Sequence, residues 1–276
     1  MKNIPNIKLN NNLEIPIIGL GTWHLNEEEC ARVVKKALEI GYTHIDTAEI
    51  YLNESAISEA IKNFPREKLF ITSKAWTDNL DYYRVIDACK ESLAKLGTIY
   101  LDNYLLHWPN KNMNYENIFK AFKKLYDEGK IKSFGVSNCT IHHLKDLLPI
   151  CKKLRLPLTV NQVEFHPYLY QNELLYFCNK YNIKIVAYSP LAQGKITDNK
   201  KLQDIGKKYD KTTTQISLRW IMQKNIIAIP KASSEKHLKE NMNIFNFELS
   251  NDDIKEIDGL GNNLRIINPS FAEFEY

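Results

Sequence analysis

The sequence predicts an α/β fold, a (β/α)8 TIM barrel with an N-terminal β-hairpin and a short C-terminal tail, on three observations. Eight short apolar runs recur along the chain, at residues 16–20, 42–46, 69–74, 101–107, 133–137, 159–164, 184–188 and 226–229. They are continuously apolar rather than alternating, as strands are when a parallel sheet buries both its faces. Stretches of helical period separate them, and the 276 residues approach the roughly 250 of such a barrel. A doubly wound dinucleotide fold would need a glycine fingerprint after its first strand. Gly19-Leu20-Gly21-Thr22-Trp23-His24 starts that way but has His24 where the third glycine belongs. No linker or low-complexity stretch interrupts the pattern, so residues 1–276 read as one domain.

In chain order, Ile7 and Leu9, then Asn10-Asn11-Asn12, then Leu13 and Ile15 read as a hairpin ahead of the barrel. A helix follows. Asn26 caps it, Glu27 to Glu29 suit the positive end of its dipole, and Gly41 stops it. Its apolar face is Cys30, Val33, Val34, Ala37 and Leu38. Val85, Ile86, Cys89, Leu93 and Leu96 form a second stripe ended by Gly97. Ile118, Phe119, Phe122, Leu125 and Tyr126 form a third, followed by Gly129. From about residue 262 onward no periodicity remains.

Charge and cysteine usage exclude several functions. Lys+Arg number 37 against 33 Asp+Glu, a net charge of +4 with no basic stripe, so nucleic acid is not an expected partner. The small excess does suit a polyanionic small ligand. The opening MKNIPNIKLN lacks the apolar core of a signal peptide, and no run approaches the roughly 20 apolar residues of a membrane helix. The expected location is therefore cytoplasmic, with no membrane partner, and the expected state a monomer or weak dimer. Cys30, Cys89, Cys139, Cys151 and Cys178 are odd in number and scattered, which reads as reduced core thiols.

Active sites of such barrels lie at the C-terminal strand ends. The polar residues expected there are Asp46, Lys74, His107, Ser137, Asn138, Gln162, Glu164, Tyr188 and Ser189, with Tyr51 five residues past Asp46. A lysine closing the apolar run 69–74 is costly to bury unless a carboxylate meets it, and Asp46 is at the neighbouring strand end. Such an ammonium would lower the Tyr51 phenol from about 10 toward the range of a general acid. From spacing alone a purely structural ion pair beside a surface tyrosine is an equal reading. A metal hydrolase built on His44, Asp46, His107 and His166 is set aside, because Lys74 would put a cation among the ligands. No metal is expected. His142 and His143 read as solvated, and His24 and His166 as structural.

These residues, in this order, resemble the aldo-keto reductases over nearly the whole chain. The motifs are Gly19-Leu20-Gly21-Thr22-Trp23, His44-Ile45-Asp46-Thr47-Ala48-Glu49-Ile50-Tyr51, Ile71-Thr72-Ser73-Lys74, Leu105-Leu106-His107-Trp108-Pro109 and Gly135-Val136-Ser137-Asn138. Asn161-Gln162-Val163-Glu164-Phe165-His166-Pro167-Tyr168, Ala187-Tyr188-Ser189-Pro190-Leu191 and Ile229-Pro230-Lys231 complete them. The resemblance implies reduction of aldehydes and ketones by hydride transfer from NADPH. In it Tyr51 is the general acid, Lys74 tunes it, Asp46 holds the lysine and His107 orients the carbonyl. It further implies that Tyr188 stacks on the nicotinamide, that Ser137, Asn138 and Gln162 bind its carboxamide, and that Ser189 and Leu191 belong to the cofactor site.

At the adenosine end the chain departs from the family pattern. Lys231 is present, but Ala232 replaces a serine and His237 an arginine, so the grip on the 2′-phosphate lacks its forked guanidinium. Ser233 and Ser234 are expected to cap the next helix or bind the phosphate, and Glu240 and Asn241 match the family's adenine contacts. The expectation is NADPH with weakened discrimination, extending to dual NADPH/NADH use. Leu52 stands where the family commonly has glycine. With Trp23, Trp76 and Trp108 it is the expected wall of an aldehyde pocket, left open by the short segments 108–115 and 269–276. The rival from another class is a regulatory subunit that keeps the fold and cofactor without turnover.

Overall fold

The computed structural model describes residues 4–276, so the first three residues of the expected single domain lie outside the described residues. The hairpin comes first, β1 (Asn6–Lys8) pairing antiparallel with β2 (Glu14–Pro16). Its turn reaches the strand beginnings: Asn10 Nδ2 donates to the Leu158 carbonyl at 2.8 Å and Asn11 Nδ2 to that of Lys132 at 3.0 Å. The hairpin therefore lies across the N-terminal end of the barrel.

Eight parallel strands follow in chain order around one sheet: β3 (Leu20–Gly21), β4 (His44–Asp46), β5 (Phe70–Ala75), β6 (Asn103–Leu106), β7 (Phe134–Ser137), β8 (Leu158–Glu164), β9 (Lys184–Tyr188) and β10 (Ile227–Ala228). The sheet closes on itself. Ile18 bridges Ala228, Gly19 N donates to Ala228 O at 2.9 Å, Ala228 N to Ile17 O at 2.9 Å, and Gly21 N to Pro230 O at 3.2 Å. A Cβ on Gly21 would meet the Ile229 carbonyl oxygen at 2.8 Å, a backbone atom with nowhere to go, so this seam needs glycine. The run 16–20 expected as one strand is divided: Pro16 pairs with Asn6 in the hairpin, and the barrel strand begins at Leu20. The chain changes partners there, and apolar character alone does not mark such a change.

One helix follows each strand through β8: α1 (Glu27–Ile40), α2 (Glu54–Ile61), α3 (Tyr82–Lys95), α4 (Tyr115–Asp127), α5 (Ile141–Leu154) and α6 (Asn172–Lys180). Two follow β9, α7 (Lys200–Tyr209) and α8 (Thr213–Gln223), and two follow β10, α9 (Glu235–Met242) and α10 (Asn251–Asp258). Caps act as the sequence suggests: the Asn26 side chain accepts from Glu29 N, and Gly41 takes φ 115°. His143, expected to be solvated, is buried. It completes a capping box with Thr140 at the start of α5, while His142 stays exposed. One residue step along a helix turns the side-chain direction by about 100°, so adjacent residues need not share an environment.

The core fills the space between helices and sheet, with Phe134 packed on Phe119 and Phe122 at 4.8 and 4.7 Å. All five cysteines are free and buried there. Burial pushes the Cys30, Cys89, Cys151 and Cys178 thiols up to about 12 and Cys139 well above its ordinary value, so they stay protonated. Among the described residues no helix is long and apolar enough to cross a membrane.

Candidate active site

Register places the first charged pair. Asp46 ends β4 opposite Thr72 of β5, so Lys74, two residues on, points the same way and lies just beyond it. Lys74 Nζ donates to Asp46 Oδ1 at 2.5 Å and to the Thr47 carbonyl at 2.7 Å, with both side chains essentially sealed from solvent. The other Asp46 oxygen accepts from Gln162 Nε2 at 2.6 Å. Three strand ends thus share one carboxylate. Burial pulls Lys74 below its ordinary range while Asp46 opposes that pull.

Tyr51 closes a short 3₁₀ turn, Glu49–Tyr51, with its ring 4.9 Å from Lys74 Nζ and 5.8 Å from the His107 ring. Three neighbours that sequence reasoning did not assign hold the turn. Asn53 accepts from Thr47 Oγ1 at 2.8 Å and donates to the carbonyls of Thr22 and Leu25. Glu49 accepts from the Trp76 backbone N–H and from Asn79 Nδ2, and Glu54 accepts from Ser73 Oγ at 2.7 Å. The signal for them was membership of the family-like stretch around the tyrosine, Glu49 before it and Asn53-Glu54 after it. Leu52 sits at φ 56°, a left-handed conformation costing roughly 1–2 kcal/mol without glycine. The same geometry turns it outward: it is 74% exposed and is not a cavity wall, contrary to expectation, while Ile50 takes that place.

The expected lowering of the Tyr51 phenol is not found. Burial and the Asp46 carboxylate push it well above 10, because the lysine's hydrogen bonds go to Asp46 and Thr47 rather than to the phenol. Burial and, secondarily, Lys74 hold His107 well below its ordinary value, so the imidazole is neutral at pH 7, and its Nδ1 is buried without a partner.

These groups open into a cavity of about 1130 Å³ at the C-terminal strand ends. Tyr51, His107, Trp76 and Trp108 line its reactive end, and Trp23, 38% exposed, stands at the rim. Phe271 of the tail meets Trp76 and Trp108 edge-on at 5.9 and 5.4 Å, a wall that the aperiodic tail did not advertise. Ser137, Asn138, Gln162, Tyr188, Ser189 and Leu191 line the long side, and Lys231 the far end. There Tyr188 OH donates to Asn138 Oδ1 at 2.8 Å, and Asn138 Nδ2 donates to the His107 carbonyl at 3.0 Å and to Ser137 Oγ at 3.1 Å.

Beyond Lys231 the expected cofactor residues do not line the cavity. Ala232 and Asn241 are buried, and Glu240 accepts from Thr212 Oγ1 at 2.6 Å. Ser234, not Ser233, caps α9, accepting from the backbone of the exposed His237. The Ser233 carbonyl instead accepts from Arg32 Nη2 of α1 at 3.1 Å, a guanidinium too distant in sequence to be foreseen. Among the described residues, no cluster of three or more His, Cys, Asp or Glu could hold a metal ion.

The model of the Aldo/keto reductase family matches residues 17–262. The chain belongs to this family. It is 43% identical over 263 residues to the glyoxal reductase of Bacillus subtilis strain 168, covering 94% of each chain. It is 38% identical over 271 residues to the methylglyoxal reductase DkgA of Escherichia coli K12, covering 96% of this chain and 97% of that one. Among solved structures, an aldo-keto reductase complexed with NADPH superimposes with a TM-score of 0.91 at 32% identity, covering 98% of this chain and 91% of that one. In this aldo/keto reductase, then, Asp46, Tyr51, Lys74 and His107 all converge on one cavity end, whereas the residues expected to choose the cofactor stand apart at the other.

Proposed function

We propose that the chain reduces small aldehydes and ketones to alcohols with NADPH, Tyr51 donating the proton. One observation carries this reading: a buried Asp46–Lys74 pair lies beneath the Tyr51 ring, beside a neutral His107, at the closed end of a large cavity. The cofactor, when bound, supplies a hydride to the carbonyl carbon. A phenol held above its usual pKa is fully protonated at neutral pH, as a proton donor must be, and the oxygen becomes a strong base only as reduction proceeds. The Lys74 ammonium then stabilises the tyrosinate left behind. The neutral His107 ring can offer an N–H to the same carbonyl oxygen.

The residues present fit a nicotinamide dinucleotide. The cavity exceeds the roughly 300–1,000 Å³ of ordinary small-molecule sites. On its long side Tyr188 OH, Asn138 Nδ2 and Ser137 Oγ already donate within the protein, which leaves the Gln162 Oε1 and a second lone pair of Asn138 Oδ1 as acceptors for the N–H groups of a carboxamide, with the Tyr188 ring alongside. Ser189, Ala192, Gln193 and Gly194 all take positive φ, bending the backbone into a shape suited to anions. At the far end Lys231 supplies charge to a 2′-phosphate, and Arg32 takes part of the role of the missing arginine. Trp76, Trp108 and Phe271 suit a flat or small carbonyl compound. The names of the two bacterial reductases suggest 2-oxoaldehydes.

The test is turnover of methylglyoxal and 4-nitrobenzaldehyde with each cofactor, read as loss of nicotinamide absorbance. Turnover with both, at an NADPH preference below about 10³-fold (roughly 4 kcal/mol), is expected. Cofactor binding with no carbonyl reduced would replace this reading with that of a binding subunit.

A further inference from the structure

The carboxylate of Glu164, at the end of β8, is fully buried, and no lysine or arginine forms an ion pair with it among the described residues. Its partners are instead the backbone of a distant segment. Oε1 accepts from Ile266 N–H at 2.8 Å, Oε2 from Ile267 N–H at 2.8 Å, and His166 Nε2 lies 2.8 Å from Oε1. Ile266 and Ile267 belong to no helix or strand, so this one side chain satisfies two successive amides. The chain before them is stitched to the loop after β8 by Asn262 N and Leu264 N, both donating to the Tyr168 carbonyl.

From the fork onward, Ile266, Ile267, Asn268, Pro269 and Phe271 line the cavity, and Phe271 meets Trp76 and Trp108 edge-on. Further on, Glu273 Oε2 accepts from Lys111 N at 2.7 Å. The tail is thus held at several points, of which the fork at Glu164 is the one sealed in the barrel; the others, at Glu273 and at Tyr276, which accepts from Thr140 Oγ1 and donates to Asp146, lie toward the surface. A carboxylate is the group for the sealed point: it has acceptors on both oxygens, and charge-assisted bonds to N–H groups are roughly twice as strong as neutral ones. An amide of the same shape would present its own N–H groups to one of the two backbone donors.

We propose that Glu164 is a positioning residue that sets the substrate-side wall of the cavity by clamping the backbone at Ile266 and Ile267, so that it governs which carbonyl compounds fit rather than the cofactor or the proton transfer. The part concerning substrate rests on the reductase reading above; the clamp itself does not. Misplacing a bound reactant by about 1 Å can cost about a hundredfold in rate, so the position of such a wall matters.

The experiment pairs hydrogen exchange with kinetics of Glu164→Gln. In the wild type, the Ile266 and Ile267 amides are expected to be protected although they lie outside helices and strands. In E164Q they should exchange at least about tenfold faster, with the helices unchanged. KM for 4-nitrobenzaldehyde should rise about tenfold or more, with kcat within about threefold and the NADPH dissociation constant within about twofold. Unprotected wild-type amides would overturn the proposal, as would an unchanged KM in E164Q. So would a parallel loss of KM, kcat and cofactor affinity, which marks a general structural role. Should E164Q fail to fold, the wild-type exchange still decides for or against the clamp. Should the wild type reduce no carbonyl compound, the reductase reading falls while the exchange pattern continues to report on the clamp.

Discussion

The two ends of the cavity are built on different principles. At the reactive end and along the adjoining long side, Asp46, Lys74, Gln162, Ser137 and Asn138 sit on or next to strand ends, are buried, and bond to one another, so each fixes the next. At the other end, Lys231 and His237 are exposed, and Arg32 reaches in from a helix surface through a single bond to a carbonyl. A change at the first end leaves a buried partner unsatisfied, whereas a change at the second is absorbed by water. That contrast accounts for the freedom of the exposed position 237, whereas Ala232 is buried and packs with the core.

The largest expected effect tests the rigid end directly. Tyr51→Phe removes the proposed proton donor but not the packing, so turnover should fall by about 10² to 10⁴ with NADPH affinity unchanged, as measured by fluorescence titration. Retention of wild-type rates would show that the acid lies elsewhere. Lys74→Met leaves Asp46 charged and buried, and should cost about 3–5 kcal/mol in urea unfolding. A loss below about 1 kcal/mol would mean that the end is less sealed than the geometry indicates.

Acid should also weaken the barrel. His44 is buried and held down to about 4, and burial also lowers His107 and His143. The unfolded chain takes up these protons near pH 6.5 but the folded chain refuses them, so the stability is fully present above 6.5 and is lost as pH falls toward 4. His44 alone accounts for up to about 3 kcal/mol. Urea midpoints at pH 7, 5.5 and 4.5 should fall in that order, less steeply in His44→Gln; equal midpoints would refute the assignment. The smallest effect probes the soft end. Arg32→Ala should lower the NADPH-to-NADH preference about five- to tenfold, roughly 1 kcal/mol, and His237→Arg should raise it by a similar factor. If neither variant shifts the ratio of dissociation constants, the 2′-phosphate is held by Lys231 without them.

The barrel was legible in the sequence because parallel strands covered on both sides are continuous apolar runs and because Gly41, Gly97 and Gly129 punctuate the helices. The converging tetrad was legible through spacing and family resemblance together. What escaped depended on contacts remote along the chain. Arg32 meets Ser233 only after the barrel closes, and Phe271 faces Trp76 only after the tail is fastened. The outward turn of Leu52 and the burial of His143 follow from local backbone direction, which residue type alone does not set. The direction of the Tyr51 shift differs from the expectation because Asp46 was weighed only as the lysine's partner, whereas it also acts on the phenol, which is itself buried.

The seam between Ile18 and Ala228 joins positions about two hundred residues apart. A ribosome adding roughly 5–20 residues per second needs some ten to forty seconds to deliver the second half of that joint. Throughout that interval the outer edge of β3 has no strand to pair with, and an open edge invites pairing with a neighbouring nascent chain. The completed cylinder abolishes this hazard at one stroke, so the riskiest moment in the life of the molecule falls before its last strand has been synthesised.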